Sequence, residues 1–198
     1  MNTGVITRAM ASAALMGLAA CVTTEPAVRL TERLDEKTGV TVTTLDRPLE
    51  FFSPLPEKGL DAASFANLGL AETNRMGTRS YYLWFSLLWG RLGADRLELP
   101  KFSTLAVDLG SERLSFRAGE RASPPVRMRL YSPEAKWSEE FAFALTTDQV
   151  RAIGHASVPT LSVETESGET FAFTLWKPPT ETLRMFSDEL LDGIFASP

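Results

Sequence analysis

A nine-residue apolar run at positions 81–89 constrains the fold of this chain more than any other feature. It is YYLWFSLLW, and Ser86 is its one clearly polar member. A helix needs about 20 apolar residues to cross a bilayer, so this run is too short to span one. Its aromatic residues favour a β-strand. Because both faces of that strand are apolar, we expect it to be central and covered on both sides.

A second strand is predicted directly before this run, over 65–74. The connecting residues 75–79 include Gly77, and a glycine in a loop of that length is typical of a β-hairpin. Hairpin tips are exposed by default, which makes this polar tip a candidate interaction surface. The alternative is that its residues serve only the chemistry of the turn. The candidate residues are Asn74, Arg75 and Met76.

Alternation of apolar and polar residues predicts further strands. These strands are expected over 39–45, 48–52 (which continues the first), 103–109, 112–117, 126–131, 140–145, 161–166 and 170–176. Within 126–131, Arg127 and Arg129 share one face of the strand. They are candidates for a surface that binds an anion or a lipid headgroup, and a solvated face is the alternative.

Two helices complete the predicted fold. Thr146 and Gln149 have the spacing of a capping box, which predicts a short helix up to His155. An apolar stripe that includes Phe186 predicts an amphipathic C-terminal helix over 181–195. We therefore expect a mainly β protein: an antiparallel β-sandwich or open barrel with one short helix and a C-terminal amphipathic helix.

The N-terminus is typical of a bacterial secretion signal. Arg8 is its only charged residue and precedes an Ala- and Leu-rich stretch at 9–20. The only cysteine of the 198-residue chain follows, and Leu18-Ala19-Ala20-Cys21 resembles the lipobox of bacterial lipoproteins. That resemblance implies acylation of the cysteine thiol and removal of residues 1–20. The alternatives are an ordinary signal peptide with an incidental cysteine, or a buried N-terminal helix.

The lipobox resemblance also implies where the protein resides. The membrane is the expected partner through acylated Cys21, together with an envelope protein. Val22 stands where an aspartate is associated with inner-membrane retention in enteric bacteria, so the periplasmic face of the outer membrane is favoured. Residues 21–36 are predicted to form a flexible tether with a short helical turn at 29–34. Residues 37–198 are expected to form a single β-rich domain.

Composition argues against several classes of function. The formal net charge is −5, with 20 basic and 25 acidic side chains, so no nucleic-acid partner is expected. One cysteine and one histidine do not make a usual zinc site, and the glycine motifs of nucleotide-binding loops are absent from the sequence. We expect no metal and no cofactor.

Enzymatic chemistry finds little support in the sequence. A Ser-His-Asp triad would need His155, whose place at a helix end indicates a C-terminal cap. Three pairs of acids are candidates for hydrolysis by carboxylates, and each has a structural explanation as a strand or turn residue. The pairs are Glu139 with Glu140, Glu164 with Glu166, and Asp108 with Glu112.

The middle of the chain adds a second resemblance. The motifs Thr38-Gly39-Val40, Asn74-Arg75-Met76-Gly77 and Tyr81-Tyr82-Leu83-Trp84 are similar to an uncharacterised family of proteobacterial envelope lipoproteins. The resemblance brings no activity, cofactor or site residue with it. The leading hypothesis is a non-enzymatic lipoprotein with a role in binding, assembly or envelope maintenance.

Two other hypotheses stay open at this point. One is a carrier of a small ligand or lipid, with an apolar cavity between the sheet and the C-terminal helix. Trp84, Trp89 and Phe186 are the candidates for lining that cavity. The other is the carboxylate-based hydrolase, which requires two acids from different strands to converge in one cleft.

Overall fold

The computed structural model of the protein describes residues 29–54, 62–91, 101–131, 138–176 and 180–191. The expected fold class is confirmed: these residues form a curled, antiparallel half-barrel sheet with two helices. The strands are β1 (Leu30–Asp35), β2 (Val40–Leu45), β3 (Leu49–Pro54), β4 (Ala62–Arg75), β5 (Thr78–Arg91), β6 (Phe102–Asp108), β7 (Arg113–Arg117), β8 (Glu139–Leu145), β9 (Thr160–Thr165) and β10 (Thr170–Leu175). The helices are α1 (Thr147–His155) and α2 (Thr180–Leu191).

The predicted hairpin, β4 with β5, is the longest paired unit of the sheet. Its register runs without interruption from Ala62 opposite Arg91 to Arg75 opposite Thr78. The turn therefore has two residues, where the sequence predicted a loop of five. One face of β5 packs into the main core, and the other packs into a second, smaller apolar cluster. The expectation that this strand is covered on both sides is confirmed.

The sheet branches at β4. β2 and β3 lie end to end along one edge of β4, with Thr44 opposite Ala71 and Leu49 opposite Leu68. Thr44 and Leu49 are five positions apart in the chain, but their partners Ala71 and Leu68 are only three apart. Two extra residues between β2 and β3 therefore bulge out of the sheet. Beyond β2 the sheet continues to β1. Beyond β3 it continues through β10, β9 and β6 to β7. β8 pairs with the free edge of β5.

The concave side of the curled sheet holds the main core. The sheet curls until its two ends face each other, where Phe116 of β7 lies 5.2 Å from Phe143 of β8 between ring centroids. Both helices pack into this concave side, and their most buried residues include Ile153 of α1 and Phe186 of α2. The predicted capping box of α1 is confirmed by reciprocal hydrogen bonds between Thr146 and Gln149. For α2, the predicted extension past residue 191 lies outside the described residues.

Tyr131 closes the gap where β2 passes into β3. Its hydroxyl accepts a hydrogen bond from the Leu45 amide at 3.2 Å and donates one to the Leu70 carbonyl at 2.7 Å. Its ring lies directly over Gly69, where any Cβ would overlap it. A glycine is therefore required at this close approach. The ring also packs on Trp84, with a centroid distance of 4.9 Å.

The segment 121–131, which we call the arch, crosses the outer face of the hairpin. A strand was predicted over 126–131, and that prediction is wrong: this part of the arch is irregular. Its backbone bonds to side chains of β1, because the Arg127 amide donates to Asp35 at 2.6 Å and Arg33 donates to the Leu130 carbonyl. The predicted alternation still holds, with Arg127 and Arg129 exposed and their neighbours turned inward.

The first strand corrects a second expectation. The sequence predicted a tether up to residue 36 with a helical turn at 29–34, but Leu30–Asp35 is β1. β1 pairs with β2 over its whole length, from Leu30 opposite Leu45 to Asp35 opposite Val40. The hydrogen bonds to β2 outweigh a weak local preference for a helical turn. The folded domain therefore begins no later than residue 30.

We expect Tyr131→Phe to lower the free energy of unfolding by about 1–3 kcal/mol, because it leaves the Leu45 amide and the Leu70 carbonyl buried without that partner. Urea denaturation measures the change. Tyr82→Phe is the matched control, because Tyr82 belongs to the same outer cluster and its hydroxyl makes no hydrogen bond to the described residues. Equal losses in the two variants would contradict this role of the Tyr131 hydroxyl.

Candidate functional site

The tip of the β4–β5 hairpin is the most exposed part of the predicted interaction surface. Met76 has φ 52° and Gly77 has φ 88°, so both occupy the left-handed region that a two-residue hairpin turn requires. The Asn74 side chain accepts a hydrogen bond from the Gly77 amide at 2.9 Å. Met76 is 97% exposed, and Arg75 beside it is also exposed.

Turn chemistry explains part of this tip and leaves part of it unexplained. Asn74 and Gly77 are residues that such a turn favours. Met76 is not, because a side chain other than Gly, Asn or Asp costs about 1–2 kcal/mol in the left-handed conformation. Strained positions of this kind are often tied to function. Met76 is therefore the residue of the tip that the fold does not explain.

Only one of the two predicted arginines lies near this tip. The Arg127 amide donates a hydrogen bond to Asp35. Asp35 lies at the end of β1 nearest the tip, because it pairs with Val40 and the next residue, Thr41, pairs with Asn74. Arg129 lies further along the hairpin. Its Nε is 3.7 Å from Glu140, a residue that pairs with Ser86 of β5. The structure thus brings Arg127 towards Asn74, Arg75 and Met76, and it places Arg129 in an ion pair elsewhere.

A buried ion pair lies beneath the tip, on the concave side of the sheet, and the sequence did not point to it. Glu72 is 3% exposed, and its Oε1 is 3.7 Å from the Arg79 Nε. Its Oε2 has no hydrogen-bond partner among the described residues. Arg79 also donates to the Leu190 carbonyl near the end of α2, at 3.2 Å. The pair therefore joins the hairpin to that helix.

The environment of Glu72 shifts its protonation. Burial raises the pKa of Glu72 above its ordinary value of 4.5, Arg79 opposes that rise, and Glu32 adds to it. Glu32 reaches Glu72 through one cross-strand row, since it pairs with Thr43 and Thr43 pairs with Glu72. This row is visible from the sequence only once the register of three strands is known.

The residues predicted to line a cavity do not come together. Trp84 lies in the outer cluster beneath the arch, where its Nε1 donates to Glu140 at 3.3 Å. Phe186 is fully buried in the main core, on the opposite side of the sheet. The prediction of a cavity lined by both residues is therefore wrong. The side chains of β5 alternate between the two faces of the sheet, and that of Trp84 lies on the face opposite to Phe186. The Trp89 side chain lies outside the described residues.

One member of each acid pair has a structural partner, and for the first pair it is Glu140, described above. Asp108 accepts the Gly110 amide at 2.8 Å within its turn, and Glu166 lies 3.8 Å from Lys101 at the surface. His155 ends α1 as predicted, and its Nε2 is 3.9 Å from Asp188 of α2. These contacts fit the structural explanations of the residues.

The described ranges contain no candidate for a membrane-spanning helix and none for a metal site. None of the helices they contain is both long and apolar enough to cross a bilayer. Within the same ranges, no three His, Cys, Asp or Glu side chains are grouped as a metal site would need. Cys21 lies outside the described residues. Comparison of the chain with family models, curated proteins and solved structures found no match.

The raised pKa of Glu72 predicts how the free energy of unfolding depends on pH. A raised pKa means that the folded protein holds the Glu72 proton more tightly than the unfolded chain does. The protonated side chain therefore stabilises the fold below about pH 4.5. This stabilisation is lost as the pH rises through the raised pKa. We expect Glu72→Gln, which stays neutral, to gain stability relative to the wild type progressively above that pH. Urea denaturation from acidic to neutral pH measures the difference.

Glu112→Gln is the control for this series, because it removes a carboxylate that is exposed. Its difference from the wild type should show no comparable rise with pH. A difference between Glu72→Gln and the wild type that stays constant across the series would contradict the burial argument.

Proposed function

We propose that this protein is a lipid-anchored lipoprotein of the cell envelope with a non-enzymatic binding or assembly role. The motif Leu18-Ala19-Ala20-Cys21 carries the proposal, because it places the only cysteine of the chain directly after a secretion signal. Two or more acyl chains on that cysteine anchor a protein stably without a spanning helix. Val22 favours the periplasmic face of the outer membrane as the site of attachment.

The position of β1 limits how far an anchored domain can lie from the lipid. The first strand starts at Leu30, nine residues after Cys21. Residues 22–29 would then be the whole link between lipid and domain, about half as long as the tether that the sequence predicted. A domain on so short a link stays beside the membrane surface.

The hairpin tip supports a binding role. Its two strands are paired along their whole length, so the tip is held on a rigid support. It presents Met76, which is almost fully exposed in a conformation that disfavours it. Methionine is flexible and polarisable, which suits a surface that contacts another protein. An envelope protein that docks on Met76 and Arg75 is the partner we propose.

The anchor is tested by Cys21→Ser. We expect this variant to lose all incorporation of an alkyne-labelled fatty acid and to move from the membrane to the soluble fraction after cell lysis. Val22→Ala is the control, because it changes the neighbouring residue and keeps the thiol. Fatty-acid labelling of Cys21→Ser at the wild-type level would overturn the assignment.

The role of the tip is tested by Met76→Asn. Asparagine followed by glycine suits the left-handed turn, so we expect the free energy of unfolding to rise by about 1 kcal/mol. If Met76 contacts a partner, the same variant loses the crosslinked complex that the wild type forms in native membranes. Stability is measured by urea denaturation, and the complex by a photo-crosslinker placed at Arg75.

Leu34→Asn provides the control for the tip, because Leu34 is another apolar side chain that is 60% exposed. It should leave the crosslinked complex at its wild-type level. A complex that survives Met76→Asn unchanged would remove the tip from the proposed interface.

A further inference from the structure

An aromatic patch lies on the convex face of the sheet, at the end away from the hairpin tip. Phe52 of β3 is 5.5 Å from Phe65 of β4 and 5.2 Å from Trp176 after β10, measured between ring centroids. Leu88 of β5 pairs with Phe65 and extends the row. Trp176 is 55% exposed, and the other three side chains are partly exposed. We call these four residues the outer aromatic patch.

The chain that leads to Cys21 enters the domain close to this patch. Arg29 and Asp46 are joined by two hydrogen bonds, one of which runs from the Asp46 amide to the Arg29 carbonyl at 2.8 Å. The Trp176 amide donates to the Glu50 carbonyl, also at 2.8 Å. Residues 46 and 50 are four steps apart, which is at most about 14 Å. The entry point and Trp176 are therefore neighbours on one region of the surface.

The length of the link decides how far the domain can move from the lipid. Eight steps separate Cys21 from Arg29, a reach of at most about 28 Å. A folded domain of about 160 residues has a radius of gyration near 15 Å, so it is about 39 Å across, which is more than the maximum reach of the link. The surface around Arg29 is consequently the part of the domain nearest to the bilayer.

We propose that the outer aromatic patch is the face on which the anchored domain rests on the phospholipid surface. This inference rests on the proposed acylation of Cys21. Tryptophan and phenylalanine are suited to the membrane interface, where the apolar ring is buried and the indole N–H meets headgroups.

The hairpin tip lies at the opposite end of the hairpin from this proposed contact with lipid. Met76 follows Phe65 by eleven positions in the chain, which is about 36 Å along a strand. A domain that contacts the lipid through the patch therefore holds Met76 about that distance from the contact, along the hairpin. There it is accessible to a protein partner, as the proposed function requires.

The test uses the acylated protein, from Cys21 to Pro198, in vesicles of phosphatidylethanolamine and phosphatidylglycerol. Acylation consumes the thiol of the only cysteine, so an introduced cysteine is the one site for a polarity-sensitive fluorophore. Thr174→Cys places the probe on an exposed residue that pairs with Phe52. Met76→Cys places it at the distant tip. We expect a blue-shifted emission, quenched by a lipid-borne quencher, at position 174 and a water-like emission at 76.

Two variants in the Thr174→Cys background test the patch itself. Trp176→Ser should lose most of the blue shift, whereas Leu34→Ser, which removes an equally exposed apolar side chain from β1, should keep it. Circular dichroism checks that both variants keep their strand content. A blue shift at 174 that survives Trp176→Ser unchanged would overturn the role of the patch.

Flotation of the same vesicles separates this inference from the anchor. Protein that floats with the lipid but gives a water-like emission at 174 overturns the inference and leaves the anchor in place. The same holds if position 76 shows the lipid environment in place of 174. Protein that does not float overturns the anchor itself, and with it the orientation that depends on it.

Discussion

The contact of Tyr131 with the branch point of β4 is the constraint on which the rest of the structure depends. β4 has two partners along one edge, and the bulge between β2 and β3 opens a gap in the hydrogen-bond ladder. The Tyr131 hydroxyl fills that gap from the convex side, and its ring covers Gly69. Burial raises the pKa of this phenol, so it stays protonated and can donate to the Leu70 carbonyl. The branch lets one hairpin support both the half-barrel and the β1–β2 extension.

The same contact makes the hairpin a rigid support with two covered faces. Tyr131 anchors one end of the arch over the convex face, while α1 and α2 fill the concave face. The Glu72–Arg79 pair ties the hairpin to α2, at the cost of burying a carboxylate that is only partly compensated. Beyond these covers the hairpin tip projects with Met76 exposed. In the proposed function the tip contacts a protein. In the further inference the outer aromatic patch, at the other end of the hairpin, contacts lipid.

Sequence patterns predicted the elements that are stabilised locally. The hairpin, the strand at 140–145 and the capping box of α1 follow from strong apolar runs or from fixed spacing, and each was found where it was expected. The predictions for β1 and the arch were wrong because the conformation of each segment depends on its contacts with another segment. Leu30–Asp35 is a strand because β2 pairs with it, and the arch is irregular because Asp35 and Arg33 take up its backbone groups. Neither the pairing of β1 nor the hydrogen bonds of the arch can be read from the periodicity of the sequence.

The sequence by itself determined the lipobox resemblance at Cys21, the mainly β class and the hairpin, because these depend on residues close together in the chain. The tertiary structure alone decided which side chains share a face and which meet. It placed Trp84 and Phe186 on opposite sides of the sheet, although both are large apolar residues suited to one cavity. It also assembled the outer aromatic patch from β3, β4, β5 and the end of β10. Alternation gives each residue a side of its own strand, and only the pairing of strands far apart in the chain gives that side its neighbours.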